Sequence, residues 1–130
     1  MSRENVERLR ESIEHYITTG ESEWAVLDEH VVVYDHDILD AGDYRGLEGY
    51  VRWLEDFGAA WSDFKISPEE YLDAGDHAIV VFRIEATGVG SGVTVEREDA
   101  MVCEFRDAKV VRIDYFNNRA QALKAAGLED

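Results

Sequence analysis

Apolar positions follow a helical period in two parts of this chain and alternate with polar ones in two others. Val6, Leu9, Ile13, Tyr16 and Ile17 share one stripe, which predicts a helix over residues 3–19 that stops at Gly20. Ser22 is placed to cap a short second helix carrying Trp24 and Leu27. His30–Asp37 is rich in β-branched residues and reads as extended. Helical spacing returns over residues 47–61, with Leu47, Tyr50, Val51, Leu54, Phe57 and Trp61 on one side and Trp53 off it. A short strand is expected around Glu70–Leu72, after Pro68. His77–Gly88 alternates clearly. VTVEREDAMVCEF and KVVRIDYF form a hairpin around Arg106, Asp107 and Ala108, and RAQALKAAGL makes a terminal helix or tail.

That order, helices, strand, helix and then a run of antiparallel strands, predicts an α+β fold with helices on one face of a curved sheet. The glycines of GVGSG suit a bend in that sheet. There is no repeat and no Pro/Gly linker, so residues 1–130 are read as a single domain.

Composition narrows the partners. The formal charge is −16, from 29 acids against 13 Lys and Arg. Such a surface repels phosphate backbones and anionic lipid, so neither nucleic acid nor a membrane is an expected partner. Lysine is scarce beside arginine; an acid-rich, lysine-poor surface suits high salt as well as an ordinary acidic protein. The lone Cys103 excludes an internal disulfide, and the charged N-terminal helix is no secretion signal, so the chain is expected to be cytoplasmic.

Chemistry is harder to find. Asp35-His36-Asp37 offers metal-ligand types, but neighbours on a strand point to opposite faces and cannot close on one ion, so no metal is expected. Cys103 in MVCEF reads as a packed thiol, no serine sits in a nucleophile elbow, and GVGSG lacks the lysine of a phosphate loop. More pointed is Asp114 within VVRIDYFNNRA: a carboxylate inside an apolar strand is wet, paired or working. With a three-residue turn at Arg106–Ala108, Asp114 would pair opposite Ala100. Met101, Cys103, Phe105, Val111, Ile113 and Tyr115 would then share the other face. The pattern alone leaves open which of those faces is inner.

Three phrases carry a likeness to a known family: DAGDYRGLEGYVRWL, YLDAGDHAIVVFRIEATGVGSGV and FRDAKVVRIDYFNNRAQALKAAGL. Through them the chain resembles the SnoaL-like members of the nuclear transport factor 2-like superfamily, over nearly its whole length. The resemblance implies a cone, in which a strongly bent antiparallel sheet wraps the N-terminal helix and a pocket opens at the wide end. It also implies a homodimer through the outer sheet face and no organic cofactor. The family's usual turn glycine is replaced here by Ala108.

The resemblance implies site residues as well, with Asp114 pointing into the cone. Arg83-Ile84-Glu85 and Arg112-Ile113-Asp114-Tyr115-Phe116 are similar to the Asp–Arg–Asp phrases of limonene epoxide hydrolase relatives, with Glu85 in place of an aspartate. On that footing Asp114 is the base, Arg83 its electrostatic partner and Glu85 the acid. The same three charges also suit a structural ion network, and a non-catalytic binding or dimerisation module competes with an isomerase, cyclase or hydrolase. Likeness to ketosteroid isomerases brings in Asp35 or Asp37 as base, with Tyr16 and Asp99 as partners. Tyr34, Asp35, Asp37 and Trp61 are the expected contacts of a small apolar substrate.

Overall fold

A computed structural model describes residues 2–22, 24–36 and 44–128; Asp37 lies outside them. Helix α1 (Ser2–Thr19) buries Val6 and Leu9 and ends at Gly20, whose φ of 77° lets the chain turn away. The expected second helix is one 3₁₀ turn, Trp24–Val26. Ser22, just before it, meets Tyr50, Oγ to Oη 3.2 Å. Strand β1 (Leu27–Asp35) follows at once, then β2 (Tyr44–Arg45), α2 (Gly46–Ala60), β3 (Trp61–Ala74), β4 (His77–Gly88), β5 (Thr94–Arg106), β6 (Lys109–Phe116) and α3 (Arg119–Ala125).

The six strands lie in the order β2-β1-β6-β5-β4-β3. The expected antiparallel sheet holds with one exception, since β1 and β6 run parallel and make the sheet mixed. β3 has 14 residues, far more than the short piece expected. Pro68 fits inside it because β3 is an edge strand and the register shifts between Pro68 and Glu70. GVGSG turns the chain from β4 to β5 and is not a bend inside a strand. Bending comes instead from register shifts in β3, where Asp63 has a φ of 50°, and between Glu104 and Phe105.

Alternation sorts β4 cleanly. Ala78, Val80, Phe82, Ile84 and Ala86 join the core beneath α1 and α2, while Ile79 and Val81 join a second cluster on the outer face. That outer cluster is covered by α3, which buries Ala122 and Leu123. Asn118 caps α3, its Oδ1 accepting from the Gln121 N–H at 3.1 Å, and Arg119 pairs with Glu70 at 2.9 Å. Among the described residues no helix is long and apolar enough to cross a membrane.

The β5–β6 turn differs from the three-residue turn expected. Arg106 pairs with Lys109 across two residues, Asp107 and Ala108, with φ of 51° and 67°. Such a turn favours glycine at its second position, because a Cβ crowds the left-handed conformation. Ala108→Gly is therefore expected to raise stability by about 0.5–1 kcal/mol, net of the looser unfolded chain. A higher urea midpoint at unchanged slope is the expected reading.

Candidate active site

The helices and the inner sheet face form a partly open cavity of about 160 Å³. Its walls come from Leu9, Ile13 and Tyr16 on α1, Tyr50, Trp53 and Phe57 on α2, and Phe82, Met101, Ile113 and Tyr115 on the sheet. Trp53 was placed off the helix stripe by periodicity, yet it is 5% exposed and forms part of that wall. Val51, expected on the stripe, is exposed. The sequence did hold the signal: Tyr50, Trp53 and Phe57 are spaced i, i+3, i+7 and face the same way.

Behind two of these rings stand two buried acids. Trp53 donates its indole N–H to Asp35 Oδ2 at 2.8 Å, and Tyr115 donates its hydroxyl to Asp99 Oδ2. Asp99 is 0% exposed. It also receives Arg97, with Nε 2.8 Å from Oδ1 and Nη2 3.0 Å from Oδ2. Arg97 in turn lies 5.6 Å from the centre of the Trp61 ring, so Trp61 touches this cluster but does not line the cavity. The sheet explains the grouping. Asp35 is paired beside Tyr115, and Arg97 and Asp99 continue the face that carries Met101, Cys103 and Phe105. Burial, first of all, and then the adjacent Asp99 raise the Tyr115 phenol well above its ordinary range, so the phenol keeps its proton at neutral pH.

Sequence reasoning named Asp35 and Asp99 but missed Tyr115 and Arg97. Both were findable by extending the alternation outward from Cys103 and Ile113. The obstacle was that the pattern leaves open which face is inner; the extra residue at Val111 lets Val110 and Ile113 both face inward and removes only Val111 from the inner set. The register is correspondingly shifted: Asp114 pairs opposite Val102, not Ala100.

The shift is of two residues, so Asp114 keeps the face it was expected to share with Ala100 and Val102; that face is the outer one, which corrects the expectation that Asp114 points into the cone. Asp114 lies on the outer face, 14% exposed as a side chain, and takes His36 Nε2 at 2.8 Å and a two-pronged Arg112 at 2.8 and 3.1 Å. His36 stacks on Phe116 at 4.5 Å, and Tyr34 lies under the Arg112 guanidinium at 4.4 Å, so Tyr34 also faces away from the cavity. Arg83 and Glu85 share that outer face, but Arg83 pairs with Glu96 at 2.8 Å and Glu69 at 3.6 Å. The Arg83–Glu85–Asp114 set does not assemble, because Asp114 sits two strands away and several residues along. Asp37 lies outside the described residues. Tyr16 lines the cavity, as its place on the α1 stripe allows.

Cys103 reaches the cavity wall as well, and burial pushes its thiol up to about 12. The thiolate is the nucleophilic form, so iodoacetamide at pH 8 is expected to label Cys103 only after unfolding in urea. Stoichiometric labelling of the folded chain would contradict this. Among the described residues no three His, Cys, Asp or Glu side chains converge as a metal ion would require.

A comparison with curated protein sequences gives no match. Solved structures give many. An NTF2-like protein from Burkholderia thailandensis is 21% identical, with 92% of this chain and 96% of that one covered and a TM-score of 0.76. A putative SnoaL-like polyketide cyclase from Jannaschia is 15% identical, with 95% and 94% covered and a TM-score of 0.71. TerC co-crystallised with polyporic acid is 17% identical, with 95% and 98% covered and a TM-score of 0.73. At these identities the likeness is one of fold. The family model of the SnoaL-like domain matches residues 24–113, well over half of the sequence, and the chain belongs to that family.

Proposed function

We propose that this chain binds a small apolar molecule in the cone cavity and transfers a proton to or from it through Tyr115. The observation that carries the reading is Tyr115, which lines the cavity and whose hydroxyl is bonded to a fully buried Asp99. A buried ion pair is a poor way to add stability, so Asp99 with Arg97 is better understood as serving a site. The phenol proton is directed at Asp99, which leaves the phenol oxygen's lone pairs for the ligand. A ligand proton passes to the Tyr115 oxygen as the phenol proton passes to Asp99, and Arg97 balances the carboxylate. Protonation of the ligand runs the same path backwards. The fold-level likeness to a putative polyketide cyclase and to TerC, crystallised with polyporic acid, supports a small-molecule site.

Deuterium incorporation tests this. Small enolisable ring ketones in D₂O, followed by NMR, should gain deuterium beside the carbonyl in the presence of the protein. Tyr115→Phe should slow this by about 10²–10³-fold, the usual scale for a lost proton-transfer group. Asp114→Asn, on the outer face, should leave it unchanged. Exchange that survives Tyr115→Phe would overturn the assignment.

One observation favours a second reading, a binding module without turnover: among the described residues no carboxylate or histidine lines the cavity. Saturable binding with no exchange of any ketone would select it.

A further inference from the structure

We infer that the cavity selects an uncharged compound of one six-membered ring bearing a single hydroxyl or carbonyl group. The inference rests on the small-molecule reading above and names the ligand class. Volume sets the size. At about 160 Å³ the cavity matches the order of space that admits benzene or a lightly substituted benzene in an apolar core. A fused multi-ring skeleton would have to displace packed rings such as Trp53, Phe57 and Phe82, and interiors yield little to such insertion.

Charge is set by what is missing from the wall. Among the described residues none that lines the cavity is Lys, Arg, His, Asp or Glu, so an ion entering would lose its hydration without a counter-charge. The Asp35 and Asp99 charges are already engaged, by Trp53 and by Arg97 with Tyr115. Shape follows from the aromatic walls: Phe57 and Phe82 each meet Tyr115 at 5.8 and 6.0 Å, edge-on and tilted, and a further ring can join them by the same edge-to-face contacts.

The single polar group has a place to go. Ser12 and Tyr16 both line the cavity and stand four residues apart, hence on the same side of α1. Neither side-chain hydroxyl has a hydrogen-bond partner among the described residues, whereas Ser22 and Tyr50 bond to each other at 3.2 Å. One ligand oxygen can address both.

The test is a calorimetric titration of the whole chain with four probes: toluene, 4-methylphenol, benzoate and 2-naphthol. Toluene and 4-methylphenol should saturate. Benzoate at pH 7 and 2-naphthol should each bind about tenfold more weakly than 4-methylphenol, or not at all. Ser12→Ala with Tyr16→Phe should weaken 4-methylphenol by about tenfold and leave toluene unchanged. If 2-naphthol or benzoate binds as well as 4-methylphenol, the one-ring, uncharged assignment fails while the cavity reading stands. If the double variant weakens toluene equally, the polar-group assignment fails. If no probe binds the wild-type chain, both this inference and the small-molecule reading fall.

Discussion

Asp99→Ala is expected to lower the stability of this protein by about 3–5 kcal/mol, the scale seen when one member of a buried ion pair is removed. Asp99 has no exposed surface and answers two groups at once, the Arg97 guanidinium and the Tyr115 hydroxyl. Without it a positive charge stays against the core, facing only the Trp61 ring and the remaining polar neighbours. Arg97 is 27% exposed as a side chain, so partial rehydration should hold the loss near the lower bound. The double variant Arg97→Met, Asp99→Leu removes both charges and should recover much of the deficit, since apolar replacements of such pairs are often neutral. Urea denaturation of the two single variants and the double separates these terms. A loss below about 1 kcal/mol for Asp99→Ala would show that the pair is not held as described.

Trp53→Ala should be comparably damaging, at about 3–5 kcal/mol for a buried tryptophan. Its ring meets Tyr115 edge-on at 5.7 Å and tilts against Tyr50 at 5.9 Å, and its N–H serves Asp35, which is 7% exposed. Trp53→Phe divides the effect. It keeps most of the aromatic contact and deletes the donor, so it should cost about 1–3 kcal/mol, the range for a hydrogen bond to a buried charged group. Ligand binding should fall in the alanine variant, where the wall opens into solvent-sized space, and persist in the phenylalanine one. Equal stability of Trp53→Phe and wild type would mean that the indole N–H contributes nothing to holding Asp35.

Local signals carried most of the architecture. The α1 stripe apart from the exposed Ile17, the α2 stripe apart from Trp53 and Val51, the alternation of His77–Gly88 and the hairpin about Asp107 are all short-range patterns, set by periods of 3.6 and 2. The long β3 was not legible, because Pro68 and a polar run break its alternation and edge position alone permits them. The parallel pairing of β1 with β6 was not legible either, since it joins residues some 80 positions apart with no local mark.

The site divides along the same line. By itself the sequence determined that the chain folds as helices on a bent sheet. It also determined that its acids outnumber its bases and that carboxylates stand in or beside strands at Asp35, Asp99 and Asp114. Only the tertiary structure decided which of these carboxylates face inward. The face shared by Asp114, Ala100 and Val102 is the outer one, where Asp114 meets His36 and Arg112, and the face of Met101, Cys103 and Tyr115 is the inner one, where Tyr115 meets Asp99. The physical reason is that alternation sorts a strand's residues into two faces without saying which one the helices cover, and that is settled by packing between elements distant in the chain.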